Sequence, residues 1–111
     1  MNREIKFRAW NSKKNKMEID VYKEYDDLMQ YTGLKDNNGK EIYEGDIVKI
    51  TYGLSKAIIG FSKGAFIMYN GNSNIYLLYD NFIENGIMGN WEVVGNIYEK
   101  PELLKECDNN E

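Results

Sequence analysis

The chain has no histidine, one cysteine and one proline in 111 residues. Each scarcity narrows the chemistry. Without histidine, both the usual general base near neutral pH and the commonest transition-metal ligand are missing. One cysteine plus carboxylates does not make a zinc site. Cys107 cannot close an intrachain disulfide, and a lone thiol suits a reducing compartment. The acids around it, Glu106, Asp108 and Glu111, disfavour the reactive thiolate. Ser12, Ser55, Ser62 and Ser73 have no imidazole to activate them, and no motif supports pairing one with Lys56 or Lys63. No apolar run approaches membrane-spanning length, and Met1 to Lys6 carries charge where a signal peptide needs an apolar stretch. A soluble cytoplasmic protein is the expectation, with no cofactor and no membrane partner.

What is present reads as short strands. Leu28 to Ile50 organises the rest: apolar and aromatic residues crowd from Leu28 to Thr32, and Thr32-Gly33 breaks the run. Asp36-Asn37-Asn38-Gly39 follows, and Asn38-Gly39 is the dipeptide that best tolerates positive φ at both central positions, so a type I′ hairpin turn is expected there. Glu44-Gly45-Asp46 marks a second reversal. From Ile47 to Tyr52 the pattern alternates, with Val48, Ile50 and Tyr52 on one face and Ile47, Lys49 and Thr51 on the other.

Upstream, Ile5, Phe7 and Ala9 alternate with Lys6, Arg8 and Trp10. After the polar loop Asn11 to Lys16 the apolar pattern resumes at Met17, Ile19 and Val21, which predicts a hairpin with one apolar face. Val21 to Met29 fits a short helix or a loop. Downstream, strands are expected at Ala57 to Phe61, Ala65 to Tyr69, Ile75 to Tyr79 and Trp91 to Tyr98, with a turn at Lys63-Gly64 and a bulge or close backbone approach at Gly60. Asp80 to Asn90 is irregular, its apolar residues either tucked inward or forming a docking lip. Pro101 suits the first turn of a short helix whose Leu103, Leu104 and Cys107 face the body, and Asp108 to Glu111 should fray. No repeat or interdomain linker is visible.

The expected architecture is mainly β (α+β): an N-terminal hairpin, a small SH3-like barrel or strongly curved antiparallel sheet, and a short C-terminal helix. One domain spans 1–111, divided into hairpin and link (1–27), barrel-like core (28–98), and helix with tail (99–111). Three blocks, IKFRAWNSKKNKM, QYTGLKDNNGKEIYEGDIVKI and VVGNIYEKPELL, occur in an order that resembles the YopX family of small phage and prophage proteins. The resemblance implies a compact β-rich fold with an SH3-like barrel and an origin in phages or prophages of Gram-positive bacteria. It supplies no catalytic or binding residues. The link Glu18 to Asp27 is shorter than the common family pattern.

Charge is unevenly spread. There are 14 Lys+Arg against 18 Asp+Glu, a net of −4. Residues 1–16 hold six bases against Glu4, a local +5 that leaves −9 for the remainder. The candidate interaction residues are therefore Lys6, Arg8, Trp10, Lys13, Lys14 and Lys16, although a solvated lysine-rich loop explains the same charges. Trp10 is either covered by the C-terminal segment or exposed as an anchor. Asp36, Glu41, Glu44 and Asp46 would be the ligands of a Mg²⁺-dependent enzyme, the lowest-ranked reading. Their neighbourhoods also suit structural roles, with Asp36, Asn38 and Gly39 shaping one turn and Gly45 and Asp46 another. Asp36 to Glu41 lacks the ligand spacing of a calcium loop, and the glycines form no phosphate-cradling or dinucleotide motif. Nine tyrosines exceed what a small core hides, which favours a protein-binding or self-associating module with a host or phage protein as partner. The alternative is a nucleic-acid-binding barrel in which the basic hairpin contacts phosphates and Trp10 stacks on a base.

Overall fold

The computed structural model describes residues 4–19, 28–50, 56–70, 74–77 and 91–104. Among these the chain is mainly β, as expected, and forms two antiparallel sheets, one of them a half-barrel. The first has the order β2-β1-β3-β4, built from β1 (Phe7–Asn11), β2 (Lys16–Ile19), β3 (Leu28–Lys35) and β4 (Glu41–Tyr43). The second runs β8-β7-β6-β5-β9, from β5 (Asp46–Ile50), β6 (Lys56–Ser62), β7 (Ala65–Asn70), β8 (Asn74–Leu77) and β9 (Trp91–Asn96). The expected C-terminal helix is a single 3-10 turn, Pro101–Leu103, with Pro101 at its start. No helix among the described residues is long and apolar enough to cross a membrane. The expectations for 20–27, 51–55, 71–73, 78–90 and 105–111 lie outside the described residues.

Two local expectations need correction, and a third is resolved between its alternatives. Thr32-Gly33 does not end a strand, because β3 continues to Lys35 through a register shift between Tyr31 and Lys35. Gly33 takes φ +88°, and the Thr32 hydroxyl bridges the gap by donating to the Ile42 carbonyl and accepting the Leu34 N–H. The type I′ geometry is at Lys63-Gly64, where φ is +52° and +83° between paired Ser62 and Ala65. At Asn38-Gly39 only the glycine has positive φ, and the Gly39 N–H bonds the Asp36 carbonyl. A type I reversal closed by a left-handed glycine results, because Asp36 Oδ1 captures the N–H groups of Asn38 and Lys40. Gly60 is an approach rather than a bulge: pairing with Ile67 is regular, and a Cβ there would lie 3.1 Å from the Tyr69 ring.

The first hairpin also differs in its faces. Its loop is four residues long, Asn11 pairs with Lys16, and Asn15 takes φ +54°. Register then places Trp10 opposite Met17 and Arg8 opposite Ile19. Side-chain parity has period two, so Met17 and Ile19 share a face with Arg8 and Trp10, not with Phe7 and Ala9. On that face Arg8 is buried whereas Ile19 is exposed.

The core lies on both sides of β5 and β6. Val48, Ala57, Ile59, Met68, Trp91 and Val93 pack with Ile42 on one side. Ile47 and Ile58 are covered by Val94, Ile97, Leu103 and Leu104 on the other. Strand alternation sets Val93 toward one cluster and Val94 toward the second, and β9 carries a register shift between the partners of Ile47 and Val48. Gly95 lies opposite Ile47, and any Cβ there would meet Leu103 and Lys100 at 3.0 to 3.1 Å. The outer side of β9 is capped as well, since the Trp91 carbonyl accepts the Asn37 N–H and the Val93 N–H reaches Asp36.

Gly45 is the corner between the sheets. Its N–H donates to the Ile59 carbonyl, its carbonyl accepts from Ile97, and its φ is +86°. An alanine Cβ would come within 2.8 Å of the Met29 sulfur, whereas Gly39, also left-handed, has open space around it. Gly39→Ala should therefore cost about 1 kcal/mol of conformational strain. Gly45→Ala should cost more, about 2–3 kcal/mol, because strain and overpacking combine. Urea denaturation of the two variants checks the ordering.

Candidate functional site

The basic hairpin divides into two halves. The inner half begins with Arg8, which β1 presents to the β4–β5 corner. Arg8 is 7% exposed, and its Nη2 bonds Asp46 Oδ1 at 2.7 Å and the Glu44 carbonyl at 3.1 Å. Its guanidinium lies 4.6 Å from the centre of the Tyr43 ring. Asp46 is 1% exposed, and its second oxygen accepts the Tyr43 N–H at 2.8 Å. Burial pushes the Asp46 carboxyl above its ordinary value, against the opposing pull of Arg8 and the Tyr43 N–H. Arg8 Nε is buried with no hydrogen-bond partner among the described residues.

Lys6 lies one strand repeat earlier on the same face. It hydrogen-bonds Glu41, approaches Glu4 at 3.5 Å, and sits 5.3 Å from the Tyr31 ring centre. The Glu41 contact raises Lys6 well above its usual pKa, and Lys6 in turn lowers Glu41. The Tyr43 hydroxyl donates to the other Glu41 oxygen at 3.1 Å, and burial together with that carboxylate pushes Tyr43 up to about 12. Tyr31 is also raised, chiefly by burial. The two rings lie 5.5 Å apart, so cations, tyrosines and carboxylates alternate along the seam. These contacts stabilise charge that would be costly to desolvate alone.

The remaining carboxylates are engaged by backbone. Glu44 Oε1 accepts the Gln30 N–H, which ties the corner to β3. Asp36 accepts three N–H groups, from Asn38, Lys40 and Val93. Burial alone would raise the Asp36 carboxyl, but these bonds outweigh it and hold the group below its ordinary value. No group of three or more acidic or cysteine residues placed to hold a metal occurs among the described residues. The turn residues Asn38 and Gly39 are exposed at the hairpin tip, while Gly45 and Asp46 are interior.

The outer half is Trp10 and the loop beyond it. Trp10 stacks on Tyr98, with centroids 5.7 Å apart and an interplanar angle of 12°. Both rings are half-buried. Lys13, Lys14 and Lys16 are exposed, and the loop is held by the Lys14 N–H on Asn11 Oδ1. Of the six candidate residues, Lys6 and Arg8 are thus drawn into ion pairs and Trp10 against the C-terminal turn. Three lysines face outward. Sequence reasoning did not find Tyr31, Tyr43 or Tyr98 as partners of these groups. Arg8 is drawn inward by Asp46, the Glu44 carbonyl and the Tyr43 ring, partners that lie far along the chain and leave no local signal.

The family described as YopX protein matches residues 18–105 of the chain. The solved structure of protein EF1440 from Enterococcus faecalis is similar, with a TM-score of 0.66 and 27% identity, covering 93% of this chain and 99% of that one. No curated protein matches the sequence.

Two measurements check this geometry. Arg8→Met should cost about 3–5 kcal/mol, because it strands a buried carboxylate. Combining it with Asp46→Asn, which removes that charge and keeps an acceptor for Tyr43, should recover at least about 1 kcal/mol of the summed losses. Simple additivity in urea denaturation would contradict the pairing. For Asp36, the folded-state pKa is depressed below 3.8. Its stabilisation is present above the unfolded value and lost as pH falls through the folded one. Acid titration of stability should therefore be shallower in Asp36→Asn than in the parent, and an unchanged profile would contradict the assignment.

Proposed function

Because the chain belongs to the YopX family, we propose that it is a non-enzymatic phage or prophage accessory protein that works in the host cytoplasm by binding another protein or further copies of itself. The observation that carries this reading is the division of the basic hairpin. The cations nearest the sheet, Lys6 and Arg8, neutralise Glu41 and Asp46, so they contribute little to an outward field. What faces outward is a half-buried aromatic pair, Trp10 and Tyr98, beside three exposed lysines. Aromatic centre with charged surround is the usual anatomy of a protein interface.

The other readings lose support for the same reason. A nucleic-acid site would draw on Lys6 and Arg8 for phosphate contact, and both are already paired within the fold. Phosphate binding normally recruits a broad basic surface, and the chain as a whole carries −4. Magnesium chemistry would need Asp36, Glu41, Glu44 and Asp46, each of which accepts a hydrogen bond from a fixed donor.

Affinity capture from host lysate, with and without nuclease and at low and high salt, is the test. A specific protein, or the chain's own untagged copy, should be retained after nuclease treatment. Recovery of nucleic acid alone, lost on nuclease treatment, would sink the proposal.

A further inference from the structure

The Trp10–Tyr98 stack brings two oppositely charged pieces of chain to one place. Three residues after Trp10 the β1–β2 loop exposes Lys13 and Lys14, with Lys16 at its far end. Immediately after Tyr98 come Glu99 and then Glu102, both exposed, and residues 99–111 carry five acids against two bases. One of those bases, Lys100, lays its stem toward Gly95. Among the described residues the ion pairs join Lys6 to Glu4 and Glu41, and Arg8 to Asp46. None of them takes Lys13, Lys14, Lys16, Glu99 or Glu102. Glu99 Oε1 accepts a hydrogen bond from the Asn96 side-chain amide. Among the described residues, however, no ion pair uses the complementarity between loop and turn, although the stacked rings join the strand that leads into one to the residue that precedes the other.

From this we infer that the occupant of the surface is a second copy of the chain, docked about a two-fold axis across the Trp10–Tyr98 stack. An isologous contact requires a surface that is complementary to itself under rotation. Neighbouring basic and acidic patches meet that requirement. Rotation places Lys13 and Lys14 of each protomer against Glu99 and Glu102 of its partner, so both ion-pair sets form twice. The aromatic pairs supply the apolar centre and the charges form the rim. This rests on the protein-binding reading above and narrows it to one partner.

Charge reversal tests it. Light scattering or sedimentation of the full chain should give a concentration-dependent dimer at low salt, weakened about tenfold or more at high salt as the rim is screened. Lys13→Glu with Lys14→Glu, and separately Glu102→Lys, should each weaken the dimer by about tenfold or more. An equimolar mixture of the two variants should restore it, because each then presents what the other has lost. Restoration also establishes that both variants are folded. Lys13→Gln with Lys14→Gln is a milder form expected to weaken the dimer by a smaller factor.

A wild-type chain that stays monomeric across concentration overturns the inference, as does a reversed variant that dimerises normally or a mixture that fails to restore dimers. A monomeric wild type that still retains a different protein through nuclease and high salt ends this inference alone. Failure of both ends the protein-binding reading as well.

Discussion

The contact between Arg8 and Asp46 is the constraint on which the arrangement of the two sheets depends. A guanidinium on β1 can enter the interior only if a carboxylate meets it there, since neither charge tolerates desolvation alone. Asp46 is held at the entrance of β5 by the Tyr43 N–H, and the intervening Gly45 bends the chain tightly enough for the Glu44 carbonyl to reach Arg8 too. Every other link across the seam is arranged around this one. Lys6 and Glu41 repeat it nearer the surface, Tyr31 and Tyr43 fill the space between, and Gly45 passes hydrogen bonds on to Ile59 and Ile97. A second tie lies at the other end, where the Asp36 carboxylate spans from its own turn to β9.

Much of this was legible where the information is local. The positions of most strands, the reversal at Glu44-Gly45-Asp46, the proline-led terminal turn and the mainly β class all follow from alternation and turn residues. The errors arose where a pairing partner decides the outcome. Asn38-Gly39 has the composition of a type I′ turn, but the Asp36 side chain captures the neighbouring N–H groups first, and Lys63 adopts the left-handed geometry that its residue type disfavours. Thr32-Gly33 looks like a strand end because the hydroxyl bridge to Ile42 is non-local. Alternation put Ile47 on a face with Lys49 and Thr51, and the C-terminal turn that covers it lies far along the chain.

The site was half legible for the same reason. Composition identified the basic head, yet it could not separate cations that neutralise interior acids from cations that face solvent. Non-local partners make that separation: Glu41 and Asp46 take Lys6 and Arg8, while the loop lysines form no ion pair among the described residues. The family match and the similarity to protein EF1440 agree with the fold. The functional reading comes from the chain itself, where catalytic chemistry is scarce and aromatic and charged groups gather at the Trp10–Tyr98 stack.

The division of the hairpin into inner and outer cations is the claim most directly open to measurement. Acetylation rates of individual lysines, followed by mass spectrometry in the native and urea-unfolded protein, report it residue by residue. Lys6 should react far more slowly in the native state, because its ammonium is bonded to Glu41, while Lys13, Lys14 and Lys16 react nearly as fast as in the unfolded chain. Equal native reactivity of Lys6 and the loop lysines would contradict the account.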